Sequence, residues 1–310
     1  MPIMRTKDKC SVVAIVCADL HLSLKPPIAR AGEPNWFEAM RHPLQQLDTL
    51  QEEYGCPIIC AGDIFDRWNS PPELINFALD WLPDMYAIPG QHDLPLHDME
   101  QVRRSAYHTL VLAGKIETLG IGAALGEIDD NLWIVGFPWG TPITNLQPGK
   151  AGPLHVAVSH AYAWIDGCSY PNAPKEMNAN QRVKALEGYD VVIFGDNHEG
   201  FLTKRHGTTI FNCGSLMRRK SDEIKYRPQV GLLMMSGEVK PVCLNTQDDV
   251  IVKVNSQAEA KANLELEDFL EKLASLEDQS LDFVEAIKRA LDEQGDSAIR
   301  KIILEALENG

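Results

Sequence analysis

Asp19-x-His21, Gly62-Asp63-x-x-Asp66, Gly90-Gln91-His92-Asp93, His160 and Gly195-Asp196-x-His198 follow one another along the chain. They supply carboxylates, imidazoles and one amide, the side chains that ligate divalent cations. Oxygen donors mixed with imidazole suit Mn, with Mg, Fe and Zn as alternatives. Two such cations, roughly 3.5–4 Å apart, can clamp the attacking and leaving oxygens of a phosphodiester. Any one block by itself reads as a turn with a helix cap. Their succession reads as a site.

The elements that must position these residues are apolar runs placed directly before them. Ser11 to Cys17 is a continuous β-rich run, as expected of a strand buried on both faces. Pro57 to Cys60 and Met85 to Ile88 are shorter runs, followed by Gly62-Asp63 and by Pro89-Gly90-Gln91. Leu154 to Ser159 ends at His160, Asp190 to Phe194 ends at Gly195-Asp196, and Asn131 to Phe137 is a further strand. In open α/β sheets, ligand sites lie outside the carboxyl ends of strands.

Between the strands, Trp36 to Tyr54 is helical in pattern, with Pro43 expected to delay or break it. Ser70-Pro71-Pro72-Glu73 reads as an N-cap and capping box for a helix reaching about Leu82. Met99 to Ala113 reads as one helix ended by Gly114. Residues 138–153 form a Pro- and Gly-containing loop, and residues 161–175, with Trp164 and Tyr170, a loop that could lie over a cleft. From Thr208 onward, hairpin-like strands are expected at 208–213, 229–235, 239–244 and 250–254. Beyond about Ala258, Leu266, Phe269, Leu270 and Leu273 recur at helical spacing. The expected class is α/β, with a catalytic domain over 1–256 and a helical C-terminal region over 257–310 that caps the core or docks a partner.

Composition narrows the setting. A hydrophobic fraction of 45% and a charged fraction of 24% suit a soluble globular core. No apolar run approaches the roughly 20 residues that span a bilayer, and the polar start shows no signal peptide, so no membrane is involved and the expected location is the cytoplasm. The seven cysteines lack zinc-knuckle spacing, and those in apolar runs (Cys17, Cys60, Cys213) read as buried thiols. The net charge of −15 excludes a generally basic surface. A DNA substrate would therefore need bound cations, a local basic cluster such as Arg218-Arg219-Lys220, or a partner.

The ordered blocks resemble the calcineurin-like metallophosphoesterase superfamily, with its pattern DxH, GDxxD, GNH(D/E), H and GHxH. Gln91-His92-Asp93-Leu94-Pro95-Leu96-His97, Asn212-x-Gly214-Ser215 and Arg218 are most similar to the SbcD-type DNA-repair exonuclease branch, which includes phage, bacterial and archaeal members. The resemblance implies a four-layer α/β/β/α sandwich and two divalent ions. Asp19, His21, Asp63 and His198 would hold one ion. Asp63, Gln91, His160 and Asp196 would hold the other, with Asp63 bridging. It further implies a metal-activated water as nucleophile and His92 as general acid, oriented by the Asp66 carboxylate. His97, Arg67 and Arg218 are candidate substrate contacts. The implied partners are DNA and an SbcC-type coiled-coil ATPase, and a homodimer is compatible.

Two positions depart from the family pattern. Gln91 stands where Asn is usual, and Asp196 where the first His of GHxH is usual. Both fall on the second ion, which is expected to be harder-ion-selective or more weakly held. The leading function is a Mn-dependent DNA exo- or endonuclease. The alternatives are a small-molecule or cyclic-nucleotide phosphodiesterase or a phosphoprotein phosphatase at the same site, and a scaffold subunit acting through its tail. Asp93, where such phosphatases often carry Glu, favours the nuclease; Arg67 after the GDxxD block is shared with the phosphatases.

Overall fold

The computed structural model describes residues 12–120, 126–129, 132–146, 154–169, 173–181 and 186–252. The chain divides between Val252 and Lys253, and the first unit is the one described here. The expected helical region over 257–310, Tyr170, and Lys253 and Val254 of the expected last strand lie outside the described residues.

Two six-stranded sheets form the scaffold. In the first, β1 (Val12–Cys17), β2 (Ile58–Cys60), β3 (Met85–Ala87) and β4 (Ile116–Thr118) run parallel, and β11 (Gln229–Met234) and β12 (Val239–Cys243) extend it antiparallel beyond β1. In the second, β6 (Leu132–Phe137), β7 (Leu154–Ser159), β8 (Val191–Phe194) and β10 (Thr208–Asn212) run parallel. There β5 (Gly126–Asp129) and β9 (Phe201–Arg205) form antiparallel edges.

The continuous apolar runs have a direct physical reason: the central strands are covered on both sides. Val13, Ala14 and Val16 of β1 pack with Ile134, Val156, Val158, Ile193 and Phe211 in the layer between the sheets. Val12, Ile15 and Cys17 pack outward against Met40, Leu44 and Leu47 of α1 (Trp36–Tyr54) and against Phe77 and Ala78 of α2 (Pro72–Trp81). The outer face of the second sheet (Val135, Phe137, Val192, Phe194, Ile210) is covered by Ala163, Ala179, Leu186 and Tyr189. Among the described residues this fourth layer consists of loops and short 3-10 turns; the expected α-helical layer there is not among them.

Several expected boundaries move. Pro43 neither delays nor breaks α1, which starts from an Asn35 cap accepting from Glu38 N at 3.3 Å and runs unbroken to Tyr54. Pro43 is buried in that helix, so tertiary packing outweighs the missing main-chain donor. Ser70 does not cap α2: Pro71 occupies the cap without a side-chain bond, and the Ser70 hydroxyl donates to Arg67 O at 2.8 Å. The single helix expected from Met99 splits into a 3-10 segment (Met99–Arg104) and α3 (Ala106–Leu112), because the Ser105 hydroxyl caps a new start at His108 N, 3.2 Å away. Val250 to Val252 are not a strand; Val252 N bonds Ala29 O at 2.8 Å instead. The short strands β4, β5 and β9 were not expected. Cys17, Cys56, Cys60 and Cys213 are buried free thiols, and no helix among the described residues is long and apolar enough to cross a membrane.

Candidate metal centre

The candidate ligands leave the C-terminal ends of five parallel strands, β1, β2 and β3 of one sheet and β7 and β8 of the other. The C-terminal ends of these strands in both sheets therefore meet at one site. Asp19 (φ 53°), His21 (φ 47°), Asp63 (φ 55°) and Asp196 (φ 74°) all adopt left-handed backbone. That conformation is disfavoured for non-glycine residues and persists where surrounding contacts enforce it. Here the first two ligand loops run side by side: Asp19 N bonds Gly62 O at 3.0 Å and His21 N bonds Asp63 O at 2.9 Å.

The turn after β3 is tied into the same loops by Asp93. Its buried carboxylate accepts from Ile64 N (3.2 Å), Phe65 N (3.0 Å) and Gly90 N (3.0 Å). Burial and the nearby Asp63 charge raise it to about 7, against those amide donors. Gly90 is required by contact: a Cβ there would collide with Asp63 Oδ1. Gly62 is required twice, since its φ is +101° and a Cβ would collide with His160 Nδ1.

The ligand atoms converge. His21 Nε2 and His198 Nε2 are 3.0 Å apart. Asp63 Oδ2 is 3.3 Å from His160 Nε2 and 3.7 Å from His21 Nε2. Asp19, His21 and His198 form one group able to hold a cation, Asp19, Asp63 and His160 a second, and His21, Asp63 and His92 a third. Across the sheets, Asp196 N donates to both Asp19 carboxylate oxygens, at 3.1 and 3.2 Å. Gln91 Nε2 donates to Asp196 Oδ1 at 2.8 Å.

The donor set fits divalent cations, and the unpartnered atoms say so most directly. His21 Nδ1, Asp63 Oδ2, Gln91 Oε1 and His160 Nε2 are buried without a hydrogen-bond partner. Buried polar atoms are ordinarily satisfied; Asp63 Oδ2 and His160 Nε2 are orphaned 3.3 Å apart, the place for an ion, whereas His21 Nδ1 faces the Asp66 carboxylate at 3.6 Å. The second nitrogen of His160 is already committed. A carbonyl only accepts, so His160 Nδ1–H donates to Ala61 O (2.5 Å) and leaves Nε2 for a cation.

Electrostatics point the same way. Burial and the charges of Asp63 and Asp196 push Asp19 up to about 8, although His160 opposes this. Burial works against protonation of His160, but Asp63 and Asp19 raise it well above the usual imidazole range. Burial, like charge and Arg219 hold His21 down at about 4, and the same influences hold His198 well below its ordinary value. Burial would raise Asp63, yet His160 and His21 hold it below the usual carboxylate range. The site thus draws in positive charge at its carboxylates and keeps two imidazoles neutral, the ligand form.

His92 stands at the mouth of this cluster. Its ring lies edge-on to His21, 5.0 Å between centroids, and its backbone N donates to Asp63 Oδ1 at 3.0 Å. The expected orienting contact is corrected: His92 Nδ1–H donates to the main-chain carbonyl of Asp66 (2.9 Å), not to its carboxylate. That carboxylate meets Arg219 Nη2 at 2.5 Å and lies 3.6 Å from His21 Nδ1. Burial raises Asp66, but the His21 contact and the Arg219 charge hold it below the usual range.

The candidate substrate contacts divide. Arg67 is exposed to solvent. His97 is exposed, with left-handed backbone (φ 57°), and its ring meets Trp139 edge-on at 6.3 Å. Trp139, at the end of β6, lies 6.3 Å from the His160 ring. Arg218 does not face the cluster, because Asp249, Thr246 and Ile224 occupy its guanidinium. Sequence reasoning named Arg219 only as one member of the basic triplet 218–220, choosing Arg218 as the contact, and missed Trp139. The basic triplet and the strand end at Phe137 were visible, but which arginine turns inward depends on Asp249, far away in sequence.

Two parallel-rich sheets meeting at a buried cluster of Asp and His side chains define a metal-dependent phosphoesterase scaffold. The chain belongs to the calcineurin-like phosphoesterase family, whose model matches residues 13–200, more than half of its 310 residues. A sequence comparison with curated proteins returns no match. Among solved structures it is similar to a 5'-nucleotidase precursor from Thermus thermophilus (14% identity, 83% of this chain and 58% of that one, TM-score 0.45). It is also similar to a putative 5'-nucleotidase from Staphylococcus aureus (13%, 83% and 58%, TM-score 0.44) and to an archaeal phosphodiesterase (13%, 74% and 99%, TM-score 0.38). The chain spans 58% of the length of each nucleotidase.

Proposed function

We propose that the chain is a phosphodiesterase acting on DNA, a Mn-dependent exo- or endonuclease of DNA repair or processing. The observation that carries this reading is the placement of His92. Its Nδ1–H is fixed on Asp66 O at 2.9 Å while its ring lies beside the ligand His21. That leaves Nε2 to deliver a proton to the departing oxygen, which a sugar alkoxide requires and an activated phenolate does not. Two divalent ions bound by Asp19, His21, Asp63, Gln91, His160, Asp196 and His198 would supply Lewis acidity and an activated water. Asp63 positions both halves: Oδ1 accepts from His92 N, and Oδ2 faces His160 and His21. The similarity of residues 91–97 and 212–218 to the SbcD-type branch supports DNA as substrate and an SbcC-type ATPase as partner, with a cytoplasmic setting and homodimer formation as parts of the same proposal.

The test is Mn-dependent nucleotide release from linear duplex and single-stranded DNA, with and without a coiled-coil ATPase partner, with His92→Ala as control. Cleavage that vanishes in the variant is the expected result. The net charge of −15 favours a second reading, a small-ester or cyclic-nucleotide phosphodiesterase or a phosphatase. Hydrolysis of bis-p-nitrophenyl phosphate with no DNA cleavage under any of these conditions would select it.

A further inference from the structure

Residues 213–223 are stitched to the backbone of the ligand loops. Ser215 N donates to His198 O (3.1 Å) and Leu216 N to Asp19 O (3.2 Å), and the Tyr226 hydroxyl donates to Ser215 O (2.9 Å). On the far side, the Glu223 carboxylate accepts from Arg219 N (2.6 Å) and Lys220 N (3.0 Å). The main chain carrying Arg219 is therefore held from both directions.

The two arginines in this stretch have different fates. Arg218 is saturated by protein: Nε on Asp249 Oδ2 (3.0 Å), Nη1 on Ile224 O (3.2 Å) and Nη2 on Thr246 O (2.8 Å). Asp249 is also bound by the buried Arg30, at 3.0 Å. Arg219 has one carboxylate, Asp66, and its Nε–H is buried without an acceptor. The Asp66 oxygen that takes Arg219 is the one that faces His21 Nδ1 at 3.6 Å. A guanidinium is thus set near His21 and His198, the imidazoles of a candidate cation group, with donors left over. Asp66 offsets part of that charge and leaves Nε–H without an acceptor, and the planar fork of Arg suits phosphate oxygens.

We propose that Arg219 is a substrate-binding residue that takes a non-bridging oxygen of the phosphate group, with Asp66 holding the guanidinium in place. This rests on the phosphoester reading above. It assigns Asp66 two tasks, its carbonyl aligning His92 and its carboxylate aligning Arg219. The ligand class is a phosphate group, as a diester or as the phosphate released from one.

The test separates binding from turnover. Inorganic phosphate is titrated calorimetrically into the Mn-loaded wild type, Arg219→Lys and Arg219→Ala, with Mn content and melting temperature measured in parallel. Phosphate affinity should fall by roughly tenfold or more in Arg219→Ala and by less in Arg219→Lys, which keeps the charge and loses the fork. Mn content should be unchanged. On bis-p-nitrophenyl phosphate, KM should rise by a similar factor, with kcat changed much less. Unchanged phosphate affinity in the loaded variants, whether or not they melt lower, would overturn the proposal. If the wild type turns over no ester but its phosphate affinity still depends on Arg219, the proposed function fails and this assignment stands.

Discussion

Gln91 Nε2 donates to Asp196 Oδ1 across 2.8 Å, and Gln91 Oε1 is left buried without a partner. These are the two positions at which the chain departs from the family's usual Asn and His, and they touch. The longer amide spans to the carboxylate, and that bond fixes the amide with its oxygen still free to accept a cation. The departures are one change in two places.

Coupling follows from that contact. Gln91→Asn withdraws the amide by one methylene and breaks the bond; Asp196→His removes its acceptor. Each single variant should weaken Mn binding at the second ion. The double variant should recover much of the loss, with an interaction energy of about 1–2 kcal/mol in Mn isotherms. Losses that simply add would show that the two positions act independently.

Asp93 is the peg that joins the Asp63 turn to the His92 turn, through its three main-chain amide partners. Asp93→Ala leaves those buried donors without an acceptor and should destabilise the fold by roughly 3 kcal/mol or more, read as a shifted midpoint in urea. Gly90→Ala acts on the site instead. Its methyl group meets Asp63 Oδ1, so Mn affinity should drop by roughly tenfold or more, while the urea midpoint moves less than for Asp93→Ala. A Gly90→Ala protein that binds Mn normally would mean that the turn yields without disturbing Asp63.

The ligand blocks were legible in the sequence because each lies a residue or a few beyond an apolar strand, so a local pattern positions it. Asp19, Asp63 and His160 needed no long-range information beyond the assumption that the strand ends meet. What was not legible depended on contacts across the chain. Whether Asp66 orients His92 by its side chain or its carbonyl is decided by Arg219, 153 residues on. Which arginine of the triplet turns inward is decided by Asp249. Pro43 misled because breaker chemistry is local, whereas the burial that sustains α1 is not.

His92 offers a test by leaving group. With Nδ1–H held by Asp66 O, only Nε2 can give up a proton, and the need for it scales with the basicity of the departing oxygen. His92→Ala should reduce kcat on DNA by about 10²–10⁴-fold and on bis-p-nitrophenyl phosphate by far less, at unchanged Mn content. Equal losses on both substrates would assign His92 to metal binding or to phosphate positioning in place of proton transfer.

Metal uptake should depend on pH in a defined sense. Burial and neighbouring charge raise Asp19 to about 8, and Asp63 holds a proton on His160 above the usual imidazole range. Both groups ligate only after losing that proton, so a cation must displace protons that the folded protein retains near neutrality. A carboxyl raised in the folded state destabilises it progressively as pH climbs from about 4, its unfolded value, toward 8. A bound cation removes that penalty. Mn affinity should therefore rise between pH 6 and about 8.5, with proton release on binding, and the Mn-dependent gain in melting temperature should be larger at pH 8 than at pH 6. Calorimetry in two buffers of different ionisation enthalpy reads the proton release directly. Affinity that is flat over this range, with no protons released, would mean that Asp19 and His160 are already deprotonated at neutral pH and that the burial argument overstates their hold.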